Sequence, residues 1–357
     1  MSRIRIAAAI AGLVGVSVLV RAQEPPPQTP QQPIFRGRIE TVAVPVTVFD
    51  PEDSLVTELT RDDFTVLDNG KKQEITTFSS GLQPIRAVAL VDISASMMPV
   101  IDLAMSGAER FVDRLRPDDR ARVGIFSTQT WMSPEFTANR DALLSWLHRD
   151  LPFNNPTRLL DAIDDSVTAL LPETGRRVVV VFTDGCDTAS QMEWGPLLNR
   201  IRAEDVMVYT VMFQPHLEVK PPPQHAITFG YHVPTSVSTV PVSTAGAPCV
   251  LHHFLELKSG SPISDFKKVD DPRWVRGAGL VDQLAAETGG GRVWLTPMAE
   301  MNRLFTKILD ELHYMYLLGF TPQTPDGKVH ELTVKVKDQK LLIRARQHYL
   351  APLRAGG

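Results

Sequence analysis

Cysteine is nearly absent: Cys186 and Cys249 are the only two in 357 residues. That excludes a disulfide-built scaffold and any multi-cysteine zinc module. Excess positive charge is missing too. The formal net charge is -4, which argues against a nucleic-acid binder, whose electrostatic footprint is a basic face. No Gly-x-Ser-x-Gly elbow is present, so the common serine-hydrolase arrangement has no sequence support. Long hydrophobic runs are likewise scarce. The longest, Ile6 to Val20, is about 15 residues against the ~20 that span a bilayer. What remains, 43% hydrophobic and 22% charged residues, is the composition of a globular chain large enough for more than one core.

The apolar run has a reading of its own. Arg3 and Arg5 precede it, and Val20-Arg21-Ala22 supplies a small-x-small cleavage pattern after it. Residues 1–22 therefore read as a secretory signal, and the chain is expected in the periplasm, at the cell surface or secreted, with no membrane span after cleavage. No cysteine follows the run, against a lipoprotein, and the two arginines are not adjacent, against twin-arginine export. Residues 23–34, rich in Pro and Gln, read as an extended tether.

Residues 35–83 have β texture. Ile39 to Phe49 alternates around β-branched residues, with Pro45 suggesting an edge strand or a bulge. Asp62 to Phe78 alternates on both sides of Asp68-Asn69-Gly70, a strong hairpin signal. At Ile85 the pattern changes. Short continuous apolar runs (Ile85 to Asp92, Ala121 to Ser127, Arg176 to Phe182, Val206 to Phe213) alternate with helical spacings such as Val100, Ala104, Ala108, Phe111, Val112 and Leu115. Such alternation implies an α/β fold, a doubly wound, mostly parallel open sheet covered on both faces. It extends over 84–320, interrupted by an aperiodic insertion at 214–274 that carries five of the nine histidines. The closing segments, Met315 to Phe320, Val329 to Val336 and Leu341 to Gln347, return to alternating strand texture. They are expected to pair with the N-terminal strands as an accessory β-sandwich, 321–357 being the part beyond the α/β domain.

Open α/β sheets bind ligands at the carboxyl ends of their strands. Two strands here end in oxygen-bearing residues: one in Asp92-x-Ser94-x-Ser96, the other in Thr183-Asp184-Gly185. Between them in sequence, Asn155-Pro156-Thr157 precedes a helix. Asp92, Ser94, Ser96, Thr157 and Asp184 make two carboxylates and three hydroxyls. Hard oxygens of this kind suit Mg²⁺ or Mn²⁺ and not zinc. A shell of neutral hydroxyls would leave the ion's charge largely uncancelled and receptive to an incoming Asp or Glu.

The Asp92-x-Ser94-x-Ser96 loop with Met97 after it, Thr157 followed by Leu160-Asp161-Ala162-Ile163, and Thr183-Asp184-Gly185 together resemble the metal-ion-dependent adhesion site of von Willebrand factor type A domains. The flanks, with Tyr316-Leu317-Leu318-Gly319-Phe320-Thr321-Pro322 in the tail, resemble exported bacterial proteins of this type, abundant in acidobacteria. The resemblance implies that Ser94, Ser96 and Thr157 coordinate a Mg²⁺ (or Mn²⁺) ion while Asp92 and Asp184 act mainly through water. It also implies a non-enzymatic binding module whose partner is a protein presenting Asp or Glu. This chain departs from the family at Asn155-Pro156, where glycines usually precede the threonine, so the Thr157 loop is restricted in a way the family's is not.

Plainer readings compete. Ser94 and Asp92 could simply cap the next helix. Asp187 reads as a solvated or capping residue and Asp161 as a helix cap. Gly289-Gly290-Gly291 follows a helix and precedes a strand, the order of a helix C-cap and not of a phosphate loop. His252-His253 matches no standard zinc spacing. Cys186 and Cys249 are either a disulfide that pins the insertion over the metal face or two unrelated thiols. A metal-dependent hydrolase and an envelope protein whose ion only staples loops are the alternative functions, the first lacking any general base placed beside the metal loops.

Overall fold

The structure, a computed structural model, describes residues 41–149, 156–213, 280–295 apart from 282, and 301–353. The expected signal, tether and insertion, with Asn155, Cys249 and the two adjacent histidines, lie outside them.

Eight residues of nearly unbroken apolar side chain make β5, Ile85–Asp92, which lies inside a six-stranded sheet. Its neighbours are β6, Arg120–Phe126, and β8, Arg176–Thr183, both parallel to it. Beyond β8 come β9, Met207–Phe213, and β10, Arg292–Leu295, also parallel. At the other edge the short β7, Thr130–Met132, runs antiparallel to β6 as a hairpin. Five strands are thus parallel, and the side chains of β5, β8 and β9 are largely buried on both faces, which is why these strands read as continuous hydrophobic runs.

Helices cover both sides. On one face α1 (Ile101–Asp113), α2 (Arg140–Leu147) and α6 (Met301–Tyr314) bury Ala104, Phe111, Leu147, Phe305 and Ile308 against Ala87, Ala89, Val91 and Phe182. On the other, α3 (Leu159–Leu170), α4 (Trp194–Glu204) and α5 (283–288) bury Ile163, Val167, Leu197 and Leu284 against Val88, Leu90, Val179 and Val181. The chain leaves β5 toward β6 on one side, then crosses to β8 and β9 on the other. The winding therefore reverses between β5 and β8, the place where such sheets hold ligands.

The terminal strands build two four-stranded antiparallel sheets. One has the order β13-β1-β11-β4 and the other β14-β12-β2-β3. In the first, β1 (Val42–Phe49) pairs with β11 (Tyr316–Phe320) and β13 (Leu342–Ala345), and β4 (Thr77–Ser79) flanks β11. In the second, the Asn69-Gly70 turn joins β2 (Phe64–Asp68) to β3 (Lys71–Gln73), and β12 (Val329–Val336) lies between β2 and β14 (His348–Leu350). A shared core of Val44, Val46, Val66, Tyr316, Leu318, Phe320 and Tyr349 closes them into a sandwich.

Two expectations need correction. Strand β11 belongs to the sandwich, so the α/β layers end at Tyr314 and not at 320. Pro45 sits in an interior strand without a bulge. It is tolerated because β13 pairs with β1 only from Val46 onward, leaving Pro45 with β11 alone. The strand expected over Leu341 to Gln347 is β13, and a further strand, β14, which was not expected, follows it in the other sheet. Buried Arg346 makes the crossing, its guanidinium bonded to Asp205 Oδ1 at 2.9 Å and to the carbonyl of Arg202 at 2.8 Å.

Candidate metal centre

Strand β5 delivers Asp92 fully buried to the carboxyl end of the sheet, beside β8. There the chain turns: the Ser94 amide donates to Asp92 Oδ1 at 2.9 Å, and a 3₁₀ turn, Ala95–Val100, leads into α1. A capping role would put the Ser94 hydroxyl on an amide of that turn. It makes no such bond; Ser94 Oγ lies 3.0 Å from Ser96 Oγ instead. The two serines face one another, and both are buried.

From β8 comes Thr183, whose hydroxyl donates to Asp92 Oδ2 at 2.7 Å and accepts the Gly185 amide at 3.0 Å. Gly185 has φ +84, a left-handed conformation that L side chains resist. This turn presents Asp184, one of whose oxygens, Oδ1, accepts the Cys186 amide at 2.9 Å. The Ser96 side chain of the first loop favours the ionised form of Asp184.

Thr157 arrives on a third loop. Its amide donates to Thr188 Oγ1 at 2.8 Å, and its carbonyl accepts the amides of Thr188 and Ala189 at 2.9 and 3.0 Å. The segment after Asp184 therefore clamps Thr157 into place, even with Pro156 before it. Asp187 and Asp161 serve the same clamp. Asp187 accepts the Leu159 amide at 2.9 Å, capping α3 from outside it, and Asp161 accepts the amides of Gln191 and Met192. Asp161 is thus a brace for the 191–192 segment and not a cap of its own helix.

The electrostatics are unusual. Burial first, and then the charge of Asp184, push the Asp92 carboxyl up to about 7, against the hydrogen bonds from Ser94 and Thr183. Burial raises Asp184 too, despite Ser96 and the Cys186 amide. Neither carboxylate has an ion-pair partner among the described residues. Two further oxygens are buried without any hydrogen-bond partner: Thr157 Oγ1 and Asp184 Oδ2. Orphaned buried oxygens and unpaired buried carboxylates are each costly. A divalent cation satisfies both demands at once, so this all-oxygen donor set fits Mg²⁺ or Mn²⁺. The described residues hold no cluster of three or more His, Cys, Asp or Glu side chains suited to a metal; in this centre hydroxyls outnumber carboxylates.

One feature escaped sequence reasoning. Thr183 orients Asp92 across 91 residues of chain, and a hydroxyl at a strand end carries no signal of that reach. Cys186 is disulfide-bonded; Cys249 lies outside the described residues. Gly289 has φ +74 after α5, as a C-cap requires, and a side chain on Gly290 would strike the Val208 carbonyl.

Residues 87–186, within the α/β part of the chain, match the family model of the von Willebrand factor type A domain. None of the curated proteins matches the chain. Solved structures similar to it include an aerotolerance-related membrane protein of Bacteroides fragilis, at 17% identity over 64% of this chain and 98% of that one, with a TM-score of 0.40. BatB of Bacteroides thetaiotaomicron is similar at 15% identity, 64% and 98% coverage and a TM-score of 0.41. The family match points to a protein-interaction module. No helix among the described residues is long and apolar enough to cross a membrane.

Proposed function

We propose that this von Willebrand factor type A domain is an exported, non-enzymatic binding module that grips a protein partner through a divalent ion. Ser94, Ser96 and Thr157 would hold Mg²⁺ or Mn²⁺ directly, and Asp92 and Asp184 would act mainly through the ion's hydration shell. When bound, the ion supplies a site for an incoming carboxylate. The chain's own residues do the rest. Thr183 and the Ser94 amide fix both oxygens of Asp92, and the Cys186 amide fixes one oxygen of Asp184. The clamp between 157 and 189 holds the third loop against the segment that follows Asp184.

The observation that carries this reading is the pair of orphaned buried oxygens, Thr157 Oγ1 and Asp184 Oδ2, on two of the three loops. Neutral hydroxyls near the ion leave most of its charge available, and that charge favours an Asp or Glu side chain of the partner. The test is affinity capture from a cell-envelope extract on the immobilised protein. Partners released by EDTA, restored by Mg²⁺ and absent from the Asp92→Ala variant support the module. A captured set that neither EDTA nor the substitution alters contradicts it.

A further inference from the structure

Ser127 lies just past the end of β6. It is fully buried, and its Oγ has no hydrogen-bond partner among the described residues. A serine hydroxyl both donates and accepts, so leaving it unpaired in a core wastes both capacities. Its position narrows the explanation. The residue before it, Phe126, stands opposite Asp92 in the sheet, and its carbonyl accepts the Ile93 amide at 2.9 Å. The Ser127 carbonyl accepts the Arg158 amide at 2.8 Å. Ser127 is thus fastened between the residue after Asp92 and the residue after Thr157.

The geometry points to Ser127 as a positioning residue of the metal centre, its hydroxyl held beside the two metal loops to hydrogen-bond the hydration shell of the ion. This rests on the metal reading above. Mg²⁺ keeps several waters when protein-bound, and those waters need oriented partners. Ser127 would do for the hydration shell what Thr183 does for Asp92. Its carbonyl and that of Phe126 already tie this segment to the third and first loops, so one residue would serve both backbone and shell.

The test uses the full chain, with Mg²⁺ affinity from calorimetry, free Mn²⁺ from its spin resonance, and melting in EDTA. Ser127→Ala is compared with wild type and with Thr47→Val, which removes another buried, unpartnered hydroxyl from the distant sandwich. The inference predicts that Ser127→Ala binds Mg²⁺ and Mn²⁺ about 10-fold more weakly, while its EDTA melting temperature is unchanged or raised. Thr47→Val should keep wild-type affinity. Wild-type affinity in Ser127→Ala overturns the inference and leaves the metal centre standing. A Ser127→Ala protein that melts earlier in EDTA marks a structural role and overturns it as well. A wild-type chain that binds neither ion overturns the metal reading itself, and this inference with it.

Discussion

Thr157 shows how a single side chain reports on a missing counterpart. Its hydroxyl is buried without a partner, as is an Asp184 oxygen, although its backbone is fully engaged with residues 188 and 189. If the fold alone had shaped this position, an apolar side chain of the same form would serve better. Thr157→Val should therefore leave the metal-free protein as stable as before, or stabilise it by up to about 1 kcal/mol, while weakening Mg²⁺ binding about tenfold. Melting in EDTA and titration calorimetry measure the two effects; an unchanged affinity would remove Thr157 from the centre. At this scale the sequence was informative where residues are near neighbours. Asp92, Ser94 and Ser96 declare themselves by alternate spacing. The roles of Thr183, Asp161 and Asp187 were not legible, because each acts on a partner on another loop.

Among the elements, the ends of β5 have opposite tasks. The carboxyl end carries the candidate site, and the amino end is anchored by Asp119. That buried carboxylate accepts the amides of Ile85 at 2.9 Å and Arg116 at 2.7 Å and meets His313 Nε2 at 2.9 Å, tying β5, the α1–β6 turn and α6 together. Burial alone would raise its pKa; the His313 hydrogen bond and the two amides outweigh burial and hold it below the ordinary carboxylate value. A carboxylate whose folded pKa is depressed contributes stability above its unfolded pKa and loses it as pH falls through the folded one. Asp119→Ala should cost about 3 kcal/mol at neutral pH. That deficit should shrink below about pH 4, the unfolded value. Urea melts of both proteins across the acid range would show it, and a deficit independent of pH would refute the ionised anchor. Strands and helices were largely legible because buried parallel strands read as β-branched runs and covering helices as apolar faces. The division of β13 from β14 was not. It depends on Arg346 reaching Asp205 and the Arg202 carbonyl in α4's end, a pairing that local periodicity does not encode.

Across the whole molecule, the sandwich assembled from both chain ends is locked to the α/β layers by buried polar groups. Tyr209 of β9 donates to Glu311 of α6 at 2.7 Å, and Arg344 of β13 pairs with the same carboxylate. Arg346 and His348 add bonds to Asp205 and Glu287. Removing one partner of a buried charge pair strands the other. Arg344→Leu should cost about 3–5 kcal/mol and split a single thermal transition into separate sandwich and α/β steps; calorimetry showing one unshifted transition would contradict this coupling. The similar texture of the two chain ends made their pairing readable, but the place where the α/β layers stop was not, since Tyr316–Phe320 is as apolar as any strand of the parallel sheet. All of this scaffolding holds the three loops at one edge of the sheet. The claim that they form a metal centre is tested most directly by counting Mn²⁺ bound to the purified chain by spin resonance, in wild type and in Asp92→Ala. The account predicts one ion per wild-type chain, displaced by Mg²⁺, and none at that site in Asp92→Ala. Absence of a stoichiometric ion in wild type, or equal binding by the variant, would contradict it.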